Sequence, residues 1–111
     1  MTRHDDVVRL RHMLDHAREA VQMAEGKNRA ALKSDRILEL ALVRLIEIVG
    51  EAAAKVTPEC KAAFSGVPWP QIIAMRHRLI HGYDAVDLDV LWDTIESDLP
   101  ALISKLEKAL E

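Results

Sequence analysis

Arg76, His77, Arg78 and His81 place four cationic or titratable side chains within six residues, just before Gly82. Guanidinium groups can hold a phosphate, and an imidazole that titrates near pH ~6.5 is available as both acid and base at neutral pH. RNA is a substrate on which these two capacities suffice. A neutral histidine can take the proton from a 2′-hydroxyl, and an arginine can stabilise the charge that builds on the phosphorus oxygens. No metal is needed for that reaction. Two other readings stand beside it. An Arg/His cluster on a helix can be a solvated, salt-bridged face, and His77 with His81 has the i, i+4 spacing of a metal pair. No Glu follows His77 and no third ligand is obvious, so no metal and no cofactor are expected.

Geometry sets a condition on the chemistry. Residues five apart on a straight helix lie about 140° from each other. Arg76 and His81 therefore converge only if the helix unwinds near Gly82 or a second subunit completes the site. His77 and His81, four apart, share a face of an unbroken helix.

Other candidates carry less. Glu47 and Glu51 stand one turn apart with Gly50 between them. They are either the polar edge of their helix or an acid pair contacting Arg76 or Arg44. Trp69 and Trp92 fit core or loop anchors better than base-stacking platforms. His12 and His16 read as surface residues, and Cys60 as a buried structural thiol.

The elements that must position the cluster are helical. Val7, Leu10, Leu14, Ala17, Val21 and Ala24 alternate spacings of three and four, with Asp5 or Asp6 to start the helix and Gly26 to end it. Residues 26–33 are polar and basic and read as a connector. Ser34 is the expected N-cap of a second helix, apolar on more than one face from Ile37 to Val56. In so small a bundle one of those faces lacks a partner within the chain, which points to a homodimer. Thr57-Pro58-Glu59 opens a short turn through Cys60 to Phe64, and Pro70 fits the first turn of a third helix carrying Ile72, Ile73, Met75, Leu79 and Ile80 and stopping near Gly82. A last stripe runs from Leu88 to Leu110, with Pro100 inside it to kink or divide the helix. Nothing alternates with a period of two, so strands are not expected. The expectation is an all-α antiparallel helix bundle, four main helices plus a short connecting helix, forming a single domain over residues 1–111.

Composition agrees. Half of the 111 residues are apolar but only Phe64, Trp69, Tyr83 and Trp92 are aromatic, so the core is aliphatic. One cysteine excludes an internal disulfide and a cysteine-based zinc site. No apolar run approaches the roughly 18–20 residues of a membrane span, and the polar start lacks a signal peptide's apolar stretch. A cytoplasmic protein with no membrane partner is expected. The net charge of −3 is uneven: residues 1–81 hold 13 Lys/Arg against 10 Asp/Glu, and residues 82–111 hold 2 against 8. Such a chain is a poor non-specific coat for nucleic acid but can carry a local phosphate site.

The order Arg76, four residues, His81, one residue, Tyr83 resembles the RX4HXY motif of HEPN domains. More closely, the chain resembles the HepT group, ribonuclease toxins of bacterial toxin–antitoxin pairs. The likeness covers nearly the whole length. It includes Arg11-His12-Met13-Leu14, the helix from Leu42 to Ala52, Pro68-Trp69 before the motif, and Val86-Asp87-Leu88-Asp89 and Trp92 after it. The resemblance implies the toxin of a type II-like module, a metal-independent endoribonuclease acting as a homodimer whose two motifs face one cleft. It assigns Arg76 and His81 the catalytic positions; His77 and Arg78, from the same cluster, are the expected supporting residues. It also implies a cognate minimal nucleotidyltransferase as antitoxin, which adenylylates Tyr83 and silences the toxin. The residue after the arginine is commonly Asn in this group and is His77 here; imidazole can still donate and accept hydrogen bonds. The alternative function is a non-catalytic dimeric binding subunit, serving the nucleotidyltransferase as its modification target.

Overall fold

Two long helices, α1 (His4–Ala24) and α3 (Arg36–Lys55), pair over most of their length and form the spine of the molecule. The computed structural model describes residues 3–81 and 85–111, with His81 by its backbone alone. It is 81% helical, an all-α fold. The α1 stripe buries Leu10, Met13, Leu14, Ala17, Ala20 and Ala24, and α3 answers with Leu42, Val43, Leu45, Ile46, Val49 and Ala53. The two run antiparallel, because Asp6 in the first turn of α1 bonds Thr57 just past the end of α3. Truncating a fully buried member such as Leu42 to Ala is expected to cost about 2–5 kcal/mol.

The remaining elements are shorter. Between the long helices lies α2 (Arg29–Ser34); α4 (Pro58–Ala63) follows α3, then α5 (Trp69–Ile73) and α6 (Met75–Leu79), divided at Ala74. A final rod comprises α7 (Leu88–Asp93), a π-helical turn over Thr94–Asp98 and α8 (Leu99–Ala109). It returns antiparallel to α1, with Arg18 on Glu107 and Val21 near Pro100. Leu91, Ile95, Leu99, Leu102 and Leu106 seal the core from that side.

Four expectations change in detail. The connector at residues 26–33 contains α2, whose single turn is capped by the Asn28 side chain and anchored by buried Leu32. Asp35, not Ser34, caps α3, accepting from the Leu38 N–H at 3.0 Å; Ser34 is the last residue of α2. Helix α1 starts at His4, and Asp6 is not its cap but is buried, with its carboxylate spent on Thr57. A minimal antiparallel ladder exists where strands were not expected: β1 (Ile80–His81) pairs with β2 (Ala85–Val86), Ile80 opposite Val86 and His81 opposite Ala85. Two-residue strands have no room for a period-two pattern, so hydropathy could not reveal them.

Elsewhere the expected punctuation holds. Gly26 ends α1 with φ of 77°, the left-handed value that glycine adopts without strain. Thr57 caps α4, and Pro70 sits in the first turn of α5. Pro100 cannot donate a backbone hydrogen bond, and the rod absorbs this in the π-helical turn just before it, so the stripe is divided without losing its direction.

Candidate active site

The α5–α6 segment presents the cationic cluster because its inner face is fixed in three places. Trp69, nearly buried, donates its indole N–H to the carbonyl oxygens of Lys61 and Phe64, both at 3.1 Å, and so ties the start of α5 to the end of α4. Ile72, Met75 and Leu79 then enter the core at spacings of three and four. At Gly50 the α3 backbone approaches α5 so closely that a Cβ there would lie 3.2 Å from the Ile72 carbonyl oxygen. With the inner positions taken, Arg76, His77 and Arg78 are left exposed.

The structure does not hold the cluster together as one patch. Arg76 turns toward α3, where its Nε donates to Glu47 Oε2 at 2.6 Å. Arg78 turns the other way and meets Asp98 at 3.4 Å on the π-helical turn. There it borders a cleft of about 220 Å³ that also includes Gln71, Asp98 and Lys105. Among the described residues the His77 ring has no hydrogen-bond partner. The two open readings of the acid pair resolve residue by residue: Glu47 contacts Arg76, whereas Glu51 contacts Arg44 at 3.3 Å as part of the exposed helix edge.

The helix ends earlier than expected, at Leu79 rather than near Gly82. Ile80 is already extended, with φ −109° and ψ 122°. The Asp87 N–H donates to the Leu79 carbonyl oxygen at 2.7 Å, and the β1–β2 ladder continues from there. Asp87 also caps α7 by accepting from the Val90 N–H. The 140° separation computed for a straight helix therefore does not apply to Arg76 and His81, and His77 and His81 do not share a helix face. The tyrosine position, Tyr83, lies outside the described residues with Gly82 and Asp84.

The remaining candidates fall into structural places. Cys60 is buried, and burial pushes its thiol up from 9.0, with the Asp6 charge adding to the effect. Trp92 packs against the core from a half-buried position. His12 is exposed, and the half-buried His16 bonds the His12 carbonyl oxygen at 2.6 Å. Among the described residues no helix is long and apolar enough to cross a membrane.

Comparison with known proteins adds a consistent set of matches. The family model described as "Ribonuclease HepT-like" matches residues 13–109. A protein of Thermococcus cleftensis named "Probable ribonuclease HepT" is 34% identical over 99 residues, covering 86% of this chain and 90% of its own. One of Caldanaerobacter subterraneus subsp. tengcongensis, named "Putative RNase", is 32% identical over 102 residues, covering 92% and 91%. One of Methanocaldococcus jannaschii with the same style of name is 25% identical over 107 residues, covering 96% and 98%. No solved structure matches the chain at a comparable level.

Proposed function

Because the chain belongs to the HepT-like ribonuclease family, we propose that it is a metal-independent endoribonuclease with Arg76 and His81 as its catalytic residues. The observation that carries this reading is the backbone change between them. Arg76 stands exposed on the short helix α6, which ends at Leu79, and from Ile80 the chain is extended through His81. An extended segment frees the histidine position from the helical spacing that would have aimed it away.

In this reading His81 takes the proton from a 2′-hydroxyl, and the resulting oxygen attacks the adjacent phosphorus. Arg76 stabilises the charge on the non-bridging oxygens. The bond to the 5′ oxygen breaks, and that oxygen takes a proton from an imidazolium, His77 of the same motif or His81 of a facing one. The products are a 2′,3′-cyclic phosphate and a 5′-hydroxyl. Cleavage in EDTA that yields the cyclic phosphate or its hydrolysis product is the expected result. A requirement for a divalent metal overturns the mechanism.

The same reading makes the protein a homodimeric cytoplasmic toxin. Ile37, Leu40, Arg44, Glu47, Ile48 and Glu51 follow one another at spacings of three, four and one along a single side of α3. Ile37 is 81% and Leu40 51% exposed on that side, large for apolar residues of a helix otherwise committed to the core. Glu47 brings Arg76 to the same side, so a second copy covering the apolar residues would bring two Arg76 side chains near one seam. Light scattering should give a dimer at micromolar concentration; a stable monomer removes the shared cleft. The antitoxin is a minimal nucleotidyltransferase that transfers AMP to Tyr83, placing a phosphate where the RNA phosphate must sit. Incubation with ATP and the cognate nucleotidyltransferase should add AMP at Tyr83 by mass spectrometry, and Tyr83→Phe should abolish the label.

A further inference from the structure

The Arg76–Glu47 contact differs in kind from the other ion pairs that link separate elements. Arg18–Glu107, Arg29–Asp89, Arg29–Asp93 and Arg78–Asp98 all join side chains that are each more than 40% exposed. Such pairs are mobile, screened and worth little. In Arg76–Glu47 the acid is only 19% exposed while the arginine is 52% exposed. Glu39 is more sheltered, at 12%, but its partner Arg36 is three residues away on the same helix. Arg76–Glu47 thus sets a sheltered acid on one element against an exposed cation on another.

We propose that Glu47 is a positioning residue for Arg76, fixing the plane and reach of its guanidinium toward the RNA phosphate; this rests on the catalytic reading of Arg76 given above. The grip is on Nε, at 2.6 Å, the inner nitrogen of the fork. Among the described residues the two terminal nitrogens have no partner, so they keep their outward donors for a phosphate. The anchor is stiff, because Glu47 follows buried Leu45 and Ile46 on a helix of 20 residues. The close approach at Gly50, one turn further along α3, sets the spacing between α3 and α5, which leads through Ala74 into α6. A free arginine has many rotamers to lose on meeting the transition state, whereas one held at Nε has fewer. The carboxylate need not touch the RNA to act.

The experiment is steady-state cleavage of one RNA by the full chain carrying Glu47→Ala, Glu47→Gln, Arg76→Ala, or Glu47→Ala with Arg76→Ala, with thermal melts of each. Glu47→Ala should lower kcat about ten- to a hundredfold and move KM less than about threefold, since orientation matters most in the transition state. Glu47→Gln keeps an oxygen that can accept from Nε and should recover part of kcat. In the Arg76→Ala background, Glu47→Ala should lower kcat by no more than about twofold further, because a residue acting through Arg76 has nothing left to position. Wild-type kcat in folded Glu47→Ala or Glu47→Gln overturns the proposal, as does a double variant in which the two losses multiply. Full-rate cleavage by Arg76→Ala overturns the catalytic reading itself, and with it the role of Glu47.

Discussion

Asp6 and Glu47 each accept a hydrogen bond of 2.6 Å, and their surroundings give the two carboxylates opposite tasks. Asp6 is 1% exposed and takes both the N–H and the hydroxyl of Thr57, joining the start of α1 to the end of α3 through neutral donors. Glu47 faces a guanidinium that is itself half in solvent. Desolvation makes the first contact consequential for stability, since each buried group left without a partner costs about 1–3 kcal/mol. Water and salt weaken the second, and what it retains is control over where a charge sits. The fold is thus held together at one end of α3, and the proposed chemistry is aimed from its middle.

The largest expected effect lies in the proposed chemistry. Arg76→Ala and His81→Ala should lower RNA cleavage by about a hundred- to ten-thousandfold, the usual range for loss of a catalytic group. Arg76→Ala should shift the thermal midpoint less than Asp6→Ala does, because the guanidinium is half in solvent and water and salt weaken its pull on Glu47. A large fall in stability would mean that this arginine belongs with Asp6 rather than against it. Asp6→Ala reverses the pattern. It orphans the Thr57 N–H and hydroxyl and should destabilise the chain by about 2–4 kcal/mol. The cleavage rate per folded molecule should stay the same, as measured by urea titration beside activity.

Acid sharpens the contrast. The Thr57 hydroxyl and N–H hold the Asp6 carboxyl below its ordinary 3.8, against the opposing push of burial, with Arg9 and Arg3 adding to the lowering. A folded-state value below the unfolded one means that the unfolded chain binds the proton more readily. The stabilisation is therefore complete above about 3.8 and is lost as pH falls through the lower folded value. Asp6→Asn should flatten that acid limb of the stability curve. An unchanged limb would show that other carboxylates govern acid unfolding.

The two regions also differ in how readable they were from sequence. Hydrophobic periodicity located α1 and α3, because a helix of 20 residues repeats its pattern five times over, and Gly26, Thr57 and Pro70 marked ends by local backbone chemistry. The cluster of Arg76, His77 and Arg78 was visible from residue type alone. Its arrangement was not. Helix α6 has five residues, too few for periodicity to locate its end at Leu79, and the ladder beyond it is two residues long. Asp6 was read as a helix start because its partner, Thr57, is 51 residues away. Glu47 was noticed, but two answers remained open, since the choice between helix edge and arginine partner depends on a backbone approach that no local pattern records.

That approach gives the smallest and most discriminating test. Gly50→Ala adds a methyl 3.2 Å from the Ile72 carbonyl oxygen, closer than ordinary contact, so α5 must yield by a few tenths of an ångström. Alanine in the middle of a helix is favoured over glycine by about 0.5–1 kcal/mol, which opposes the cost of that shift. Helices α5 and α6 are short and follow one another through Ala74, so they can shift together while α1 and α3 stay paired. The net stability change should fall within about 1 kcal/mol of zero. Activity should respond more, because the shift carries α6 and Arg76 away from Glu47. A misplacement of about 1 Å can cost a catalytic group on the order of a hundredfold, and a smaller one should lower kcat about three- to tenfold. Restoration of the rate by a compensating Glu47→Gln is not expected, since glutamine has the same reach. Unchanged kcat in a folded Gly50→Ala variant would mean that Arg76 finds its working position without help from the spacing of α3 and α5.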